Sequence, residues 1–430
     1  MTWSRAIVWW VVLATTPVIA DEYGFPQLDG FAATVIGTPS ELQPDLSIPE
    51  RPFKVLALDP FPERPSPSYV WYHDKLRYLL LEQKGPAPLI FLIAGTGSSY
   101  RSPSMQTLSA AFFLAGFHVV VLPSPTSLQF MVTASTTQVP GVLDDDSRDL
   151  YRVMKMAWEQ QLSKRLDATD FYLSGFSLGA AQAAFVSRLD EDERAFGFSK
   201  VLMINPPVSL YNSALILDGF LRDNVSSGEE LLAFWDELTE VLSEEFAATR
   251  GEVRLGPDWL YRVYANRRPD ELRLRMLIGL AFAFTAQNMV TMADVLTESA
   301  YIVPVGTKAR ITANVDPYFI VAARTPFSLY FRELMVPWYR RSDPGISEDS
   351  LKFRASLNSI EDYLRSTDKL GLTHNADDVI MAEGELDWLA DVFGDRAKIW
   401  PRGGHGGNLS CRENVESMLA FFGARLPEGR

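Results

Sequence analysis

The chain has 430 residues, of which 47% are hydrophobic and 12% aromatic, so it can bury one large core or two smaller ones. Its 40 basic and 54 acidic residues give a formal net charge of -14. This charge argues against a nucleic-acid partner and gives no support for binding to anionic membrane surfaces. The only cysteine, Cys411, excludes a disulfide within the chain.

The first 20 residues predict an export signal. A basic start at Arg5 precedes the apolar run AIVWWVVLATTPVIA, which ends at Ala20 before an acidic pair. These fifteen residues are fewer than the roughly 20 that span a bilayer, which favours cleavage near Ala20 over an uncleaved membrane anchor. We therefore expect a periplasmic or secreted protein that begins at Asp21, without a transmembrane anchor after processing; its intact mass would test this. The lack of a disulfide framework favours a bacterial periplasm.

Strands and helices alternate between residues 53 and 205. Strand-like runs at Phe53 to Leu58 and Leu76 to Glu82 are followed by APLIFLIAGTGSS, whose unbroken apolar run is typical of a strand buried on both faces. A helix in SMQTLSAAFFLAGF, a strand in HVVVLPSP and a helix from Asp144 to Lys164 come next. A strand, a turn and a helix around Ser177 then lead to the strand KVLMIN. This alternation predicts an α/β fold with a doubly wound, mostly parallel sheet.

The alternation stops near Pro206, and helical patterns such as EELLAFWDELTEVLSEEF fill the block that follows. The sheet pattern resumes with KLGLTHNADD, the helix GELDWLADVFG, the strand RAKIWP and a last helix. We therefore predict an α/β core made of residues 21–207 and 346–430. A mainly helical cap, residues 208–345, is inserted into it.

Two apolar segments lie in the predicted cap. They are MLIGLAFAFTA at residues 276–286 and PFSLYFRELMVPWY at residues 326–339. Eleven residues are too few to cross a bilayer, so the first segment must be buried within the protein. Both segments either form the core of the cap or cover an apolar pocket for an acyl chain.

The run GFSLG at residues 175–179 has the form G-x-S-x-G. In a nucleophile elbow the serine adopts a strained backbone conformation, so the residues two positions away on either side must be small. The alternative is an ordinary turn between a strand and a helix, which often contains glycine and serine. The position between a strand-like run and an alanine-rich helix favours Ser177 as a nucleophile.

A serine hydroxyl requires a general base, and the chain has four histidines. His405 lies in RGGHGGNLS after the last predicted strand, where flanking glycines would free its imidazole to project toward a neighbouring loop. The other histidines, His73, His118 and His374, fit structural or surface positions. We therefore predict His405 as the base.

The base requires a carboxylate that fixes its tautomer. The segment THNADD places Asp377 and Asp378 after a predicted strand, although either could simply be a turn or cap residue. We predict Asp378 as the acid, with Asp377 as the rival. The resulting chain order, Ser177, Asp378, His405, is the one expected on this kind of sheet.

In LIAGTGSS, GFSLGA, THNADD and PRGGHGG the chain resembles the α/β-hydrolase superfamily, in its serine esterase, lipase or aminopeptidase-like branches. The resemblance covers about residues 87–205 and 369–426, and not the N-terminal segment or the inserted block. It implies an oxyanion hole formed by the backbone amides of Thr96 and Leu178.

These features predict an exported serine hydrolase, preferably a carboxylic-ester hydrolase that acts on a small-molecule or lipid-like acyl substrate. A peptidase or amidase of the same fold is the first alternative, and a binding protein that keeps the sheet without catalysis is the second. The sequence has no P-loop, no H-E-x-x-H motif and no dinucleotide fingerprint, so we expect no metal and no cofactor.

Overall fold

The structure is a computed structural model that describes residues 23–429, except for 49–52, 68–69, 226, 249–256, 305–317, 319–320 and 323. The predicted export signal, residues 1–20, lies outside the described residues.

A single eight-stranded sheet runs through the described part of the chain. Its strands are β1 (Phe53–Leu58), β2 (Leu76–Leu81), β3 (Ala87–Ile93), β4 (His118–Leu122), β5 (Ala168–Phe176), β6 (Lys200–Ile204), β7 (Leu370–Asn375) and β8 (Ala397–Trp400). Their spatial order is β1-β2-β4-β3-β5-β6-β7-β8. The pairs β1–β2 and β2–β4 are antiparallel, and every pair from β4 to β8 is parallel. The predicted doubly wound, mostly parallel α/β fold is therefore confirmed.

Helices precede, connect and follow these strands. Before β7 they are α1 (Gly30–Ile36), α2 (Pro103–Leu114), α3 (Leu128–Thr133), α4 (Leu143–Ala157), α5 (Leu178–Glu193), α6 (Leu210–Arg222), α7 (Gly228–Ala248), α8 (Pro257–Arg267), α9 (Glu271–Thr297), α10 (Phe327–Leu329), α11 (Val336–Arg340), α12 (Glu348–Arg354) and α13 (Glu361–Ser366). After β7 they are α14 (Glu385–Phe393) and α15 (Arg412–Phe421). π-Helical turns extend α4 over Trp158–Leu162 and join α10 to α11 over Tyr330–Met335.

The central strand β3 shows why its sequence is apolar without a break. Phe91 and Ile93 belong to one hydrophobic cluster, together with buried residues of α4 and α5. Ile90 and Leu92 belong to another cluster, with buried residues of α2 and α15. Because successive side chains of a strand point to opposite faces, a strand covered on both sides must be apolar at every position.

The segment between β6 and β7 is mainly helical where it is described. Its two apolar runs, residues 326–339 and 276–286, have different surroundings. Residues 326–339 contribute Tyr330, Met335 and Val336 to a buried cluster that also contains the C-terminal half of α9. Residues 276–286 lie in the N-terminal half of α9, which packs against α6 and α1. Residues 326–339 therefore lie in a buried core, whereas residues 276–286 pack against the neighbouring helices α6 and α1.

Helix α9 is also the one described helix that is long and apolar enough to cross a membrane. Its most apolar window has a mean hydropathy of 1.4, and 44% of that window is buried within the protein. Core helices of globular proteins meet the same two criteria. Its packing on α1, α3 and α6 accounts for much of its apolar surface here.

Close packing of α9 on α6 depends on Gly279. A β-carbon at this position would lie 2.6 Å from the backbone nitrogen of Leu221. We expect Gly279→Ala to destabilise the protein by about 1–3 kcal/mol, since the helices must separate. In α6, Gly219→Ala would meet only the carboxylate of Asp223, at 3.0 Å, which can rotate away.

This control should be neutral or stabilise the protein by up to about 1 kcal/mol, as alanine does in a helix interior. Denaturant unfolding of both variants measures the difference. Equal stability of the two would show that α6 and α9 are not in the described contact.

Candidate active site

Ser177 lies at the junction of β5 and α5, with φ 56° and ψ −124°. A β-carbon at Gly175 would lie 2.1 Å from the carbonyl oxygen of Gly179, and one at Gly179 would lie 2.3 Å from the carbonyl oxygen of Ile93. Glycine is therefore required at both positions, because any side chain would clash with these backbone oxygens. The geometry is that of a nucleophile elbow, in which a sharp turn presents the serine above the sheet.

The hydroxyl of Ser177 reaches the histidine predicted as its base. Ser177 Oγ lies 2.9 Å from His405 Nε2, and the loop that carries His405 follows β8. On the backbone, the N–H of Ser177 donates to the carbonyl oxygen of Ile204 at 2.9 Å, which fastens the turn to β6. Serine and imidazole are therefore within proton-transfer distance.

Asp378 lies on the other side of the imidazole. His405 Nδ1 is 3.1 Å from Asp378 Oδ1 and 3.0 Å from Oδ2. Asn205 also donates to Oδ2, at 3.0 Å, and the backbone N–H of Ile380 donates to Oδ1 at 3.2 Å. Burial by itself would raise the pKa of Asp378, but the charge and hydrogen bond of His405, then His374 and Asn205, outweigh it and lower the pKa. The buried carboxylate is therefore ionised at neutral pH.

The rival carboxylate, Asp377, has a different partner. Its Oδ1 accepts a hydrogen bond from the backbone N–H of Gly404 at 2.8 Å. Burial raises its pKa. Asp377 thus holds the backbone of the loop beside His405, while Asp378 contacts the ring.

His374, on β7, is a second histidine near the same carboxylate. Its Nδ1 lies 3.8 Å from Asp378 Oδ2 but accepts a hydrogen bond from the N–H of Asn375 at 2.9 Å. Its Nε2 lies 3.2 Å from the carbonyl oxygen of Pro206, so the ring donates there. This fully buried ring is hydrogen-bonded to backbone groups of Pro206 and Asn375 and occupies a structural position.

The two backbone amides predicted for the oxyanion hole lie beside Ser177. Leu178 begins α5, and Thr96 lines the same cavity as Ser177. A β-carbon at Gly95 would lie 3.3 Å from the β-carbon of Ser177, which shows how closely this loop passes the serine. Neither the N–H of Thr96 nor that of Leu178 has a hydrogen-bond acceptor among the described residues. Both N–H groups are therefore unused by the described part of the protein.

The glycines around His405 have a different purpose from the one inferred from the sequence. A β-carbon at Gly407 would lie 2.0 Å from the carbonyl oxygen of Ala33, in α1. The N–H of His405 donates to Thr34 Oγ1 at 2.8 Å, also in α1. The glycines thus let the N-terminal helix pack onto the loop and fix it, rather than freeing the imidazole. Sequence reasoning missed Thr34, although a loop with four glycines is itself a sign of close backbone packing.

A cavity of about 250 Å³ opens above Ser177 and His405. Helices α6 and α9 supply much of its surface, with Leu210, Ala214, Leu217, Ile278, Ala281 and Phe282. Thr34, Thr96, Ser98, Ser213 and Thr285 add hydroxyl groups. None of its described lining residues is Asp, Glu, Lys or Arg. The first apolar run of the inserted segment therefore covers the site.

No family model and no curated protein matches the sequence. Solved structures are similar to most of this chain at low sequence identity and low TM-score. An esterase from Pyrococcus furiosus has 12% identity and a TM-score of 0.40, over 86% of this chain and 92% of its own. An esterase from Pyrobaculum calidifontis has 14% identity and a TM-score of 0.41, over 87% and 84%.

An acylaminoacyl peptidase from Pyrococcus horikoshii has 11% identity and a TM-score of 0.42, over 88% of this chain and 42% of its own. The structure itself shows the strand order, the elbow after β5 and the chain order Ser177, Asp378, His405. The chain has the α/β-hydrolase fold.

The contacts of the two aspartates lead to a paired prediction. Asp378→Asn replaces the carboxylate that accepts from His405 Nδ1, so the imidazole loses its fixed tautomer and its counter-charge. We expect kcat of ester hydrolysis to fall by roughly 10⁴-fold. Asp377→Asn keeps an oxygen that can accept from the Gly404 N–H, so kcat should change by only a few-fold.

Kinetics on a p-nitrophenyl ester measures both variants, and their melting temperatures should stay close to that of the parent protein. The reverse result, a large loss for Asp377→Asn alone, would make Asp377 the acid.

Proposed function

We propose that the protein is a serine hydrolase that cleaves carboxylic esters through an acyl-enzyme. The observation that carries the proposal is the hydrogen-bonded line from Ser177 Oγ through the imidazole of His405 to the carboxylate of Asp378. The elbow conformation and two free amide donors beside the hydroxyl support it.

In the acylation step, Ser177 Oγ attacks the ester carbonyl carbon while His405 Nε2 accepts its proton. The carbonyl oxygen becomes negatively charged, and the amides of Thr96 and Leu178 donate to it. Collapse of this intermediate breaks the bond to the alcohol oxygen, which takes the proton back from His405. Asp378 stabilises the imidazolium in between and remains ionised.

Deacylation repeats these steps with water. His405 takes a proton from the water molecule, whose oxygen attacks the acyl carbon, and the second intermediate releases the acid and returns the proton to Ser177 Oγ. The same donors stabilise both intermediates. Atoms balance over the cycle, because one ester and one water give one acid and one alcohol.

The lining of the cavity favours an ester with an apolar acyl group over an aminoacyl amide. An enzyme that removes N-terminal amino acids needs a negative group to hold the free amine of its substrate. The described lining offers apolar side chains from α6 and α9 and no carboxylate. Export, inferred from residues 1–20, is part of the same proposal and is tested by the intact mass of the mature protein.

Reaction with a fluorophosphonate probe tests the nucleophile. The probe labels a serine only if that serine is activated, and peptide mapping should find the label on Ser177. Ser177→Ala should abolish labelling and lower hydrolysis of a p-nitrophenyl ester by on the order of 10⁶-fold in kcat, with thermal stability nearly unchanged. Labelling of another serine, or substantial activity in this variant, would refute the proposal.

A series of p-nitrophenyl esters tests the acyl pocket. We expect kcat/KM to rise from acetyl toward medium chains, because each buried CH₂ contributes up to roughly 0.8 kcal/mol to transition-state binding. Ala281→Trp should narrow the cavity and flatten the rise, whereas Leu272→Trp changes an exposed residue of the same helix outside the lining and should not. A flat profile in the parent protein, with faster turnover of aminoacyl arylamides, would favour the peptidase alternative.

A further inference from the structure

A second cavity, of about 240 Å³, lies beside the first one. The loop after β3 alternates between the two: Thr96 and Ser98 line the apolar cavity, and Gly97 and Ser99 line the second. Thr285 of α9 lines both. Its methyl carbon lies 2.2 Å from the place where a β-carbon of Gly97 would be. The wall between the cavities is therefore one loop and one threonine side chain.

The second cavity differs from the first in its chemistry. Its polar lining residues are His73, Ser99, Thr126, Ser127, Thr285, Gln129 and Asn288. Among its described lining residues none is Asp, Glu, Lys or Arg. The surface thus offers uncharged hydrogen-bonding groups, which would leave a charged ligand such as a phosphate without a counter-charge.

Some of these groups have hydrogen-bonding capacity that the protein does not use. His73 Nδ1 is buried and has no partner among the described residues. Gln129 Oε1 accepts from the backbone N–H of Arg77 at 3.3 Å, and its NH₂ group has no acceptor within the described chain. The NH₂ group of Gln129 is not among the buried atoms, so it can donate to a ligand hydroxyl in the cavity.

The state of His73 fits an uncharged ligand. Burial, with a smaller effect of the nearby charge of Arg77, lowers the pKa of His73. The ring is therefore neutral at neutral pH, and a neutral imidazole can accept a hydrogen bond from a hydroxyl at one nitrogen and donate at the other.

We infer that the second cavity binds the alcohol part of the substrate, a neutral polyol such as glycerol or a monosaccharide, while the acyl chain occupies the cavity under α6 and α9. This inference rests on the proposed ester hydrolysis. The ester group would lie at Ser177, and its alcohol oxygen would receive the proton from His405. Both cavities open to solvent, so the polyol would pass over the wall formed by Ser98 and Thr285 and reach the hydroxyl and amide groups of the second cavity.

Matched esters test the inference. Glyceryl 1-monohexanoate and propyl hexanoate share an acyl chain and a three-carbon alcohol, and differ only in two hydroxyl groups. The parent protein should prefer the glyceryl ester in kcat/KM by about 10-fold or more, since each hydroxyl gains a hydrogen bond in the cavity. A third ester, 6-O-hexanoyl glucose, shows whether the cavity accommodates a monosaccharide better than glycerol. Preference for propyl hexanoate over both polyol esters would overturn the inference.

Two variants test whether the preference for the polyol ester arises in the second cavity. Asn288→Leu and His73→Phe remove polar groups of the cavity at similar size, and each should lower the polyol-to-propyl ratio about 3- to 10-fold, mainly through KM. Gln287→Leu makes a comparable change one position away on α9, outside the lining, and should leave the ratio unchanged. An equal effect of all three variants, or no effect of any, would contradict the inference.

Binding separates this inference from the proposed function. In Ser177→Ala protein, 1-O-hexylglycerol should bind more tightly than hexyl propyl ether, as measured by calorimetry, and Asn288→Leu should remove the difference. This result would support the subsite even if the parent protein hydrolysed no ester, in which case only the proposed function would fail. Equal binding of the two ethers would refute the subsite, whatever the parent protein hydrolyses.

Discussion

The site depends on a strained backbone conformation at one residue. Ser177 has a positive φ, which costs a residue with a β-carbon on the order of 1–3 kcal/mol. The surrounding contacts hold it there: glycines at 175 and 179 let α5 approach β3 without a clash, and the Ser177 N–H is bonded to β6. Because this turn fixes the hydroxyl, the imidazole and the two amide donors can all be placed around a single point.

The loop that carries His405 is held in place by the N-terminal segment, residues 23–36. The guanidinium of Arg402, which is buried, donates to the backbone carbonyl oxygens of Tyr23 and Phe25. Thr34 accepts from the backbone of His405 in the same region. A buried guanidinium requires such partners, since its charge is otherwise costly to desolvate. The N-terminal segment therefore supports the loop that carries His405.

Helix α9 connects the fold to both cavities near Ser177. Its N-terminal half covers the apolar cavity, and its Thr285 and Asn288 reach the polar one. Its C-terminal half is buried with the helices around residue 330 and anchors the covering half. Such a division is expected where a common sheet supplies the chemistry and an inserted segment supplies specificity.

The sequence by itself determined the sheet, the elbow and the candidate residues, because these signals are local. Unbroken apolar runs mark strands covered on both faces, and the spacing of GFSLG marks the elbow. Only the tertiary structure shows which of Asp377 and Asp378 contacts His405, since both follow β7 and their partners, Gly404 and His405, lie 27 residues further on. The tertiary structure also shows that residues 276–286 cover the site, and that the glycines beside His405 allow α1 to pack closely on its loop. Those outcomes depend on contacts between distant parts of the chain, such as Thr34 with His405, and no local pattern specifies which distant residues will meet.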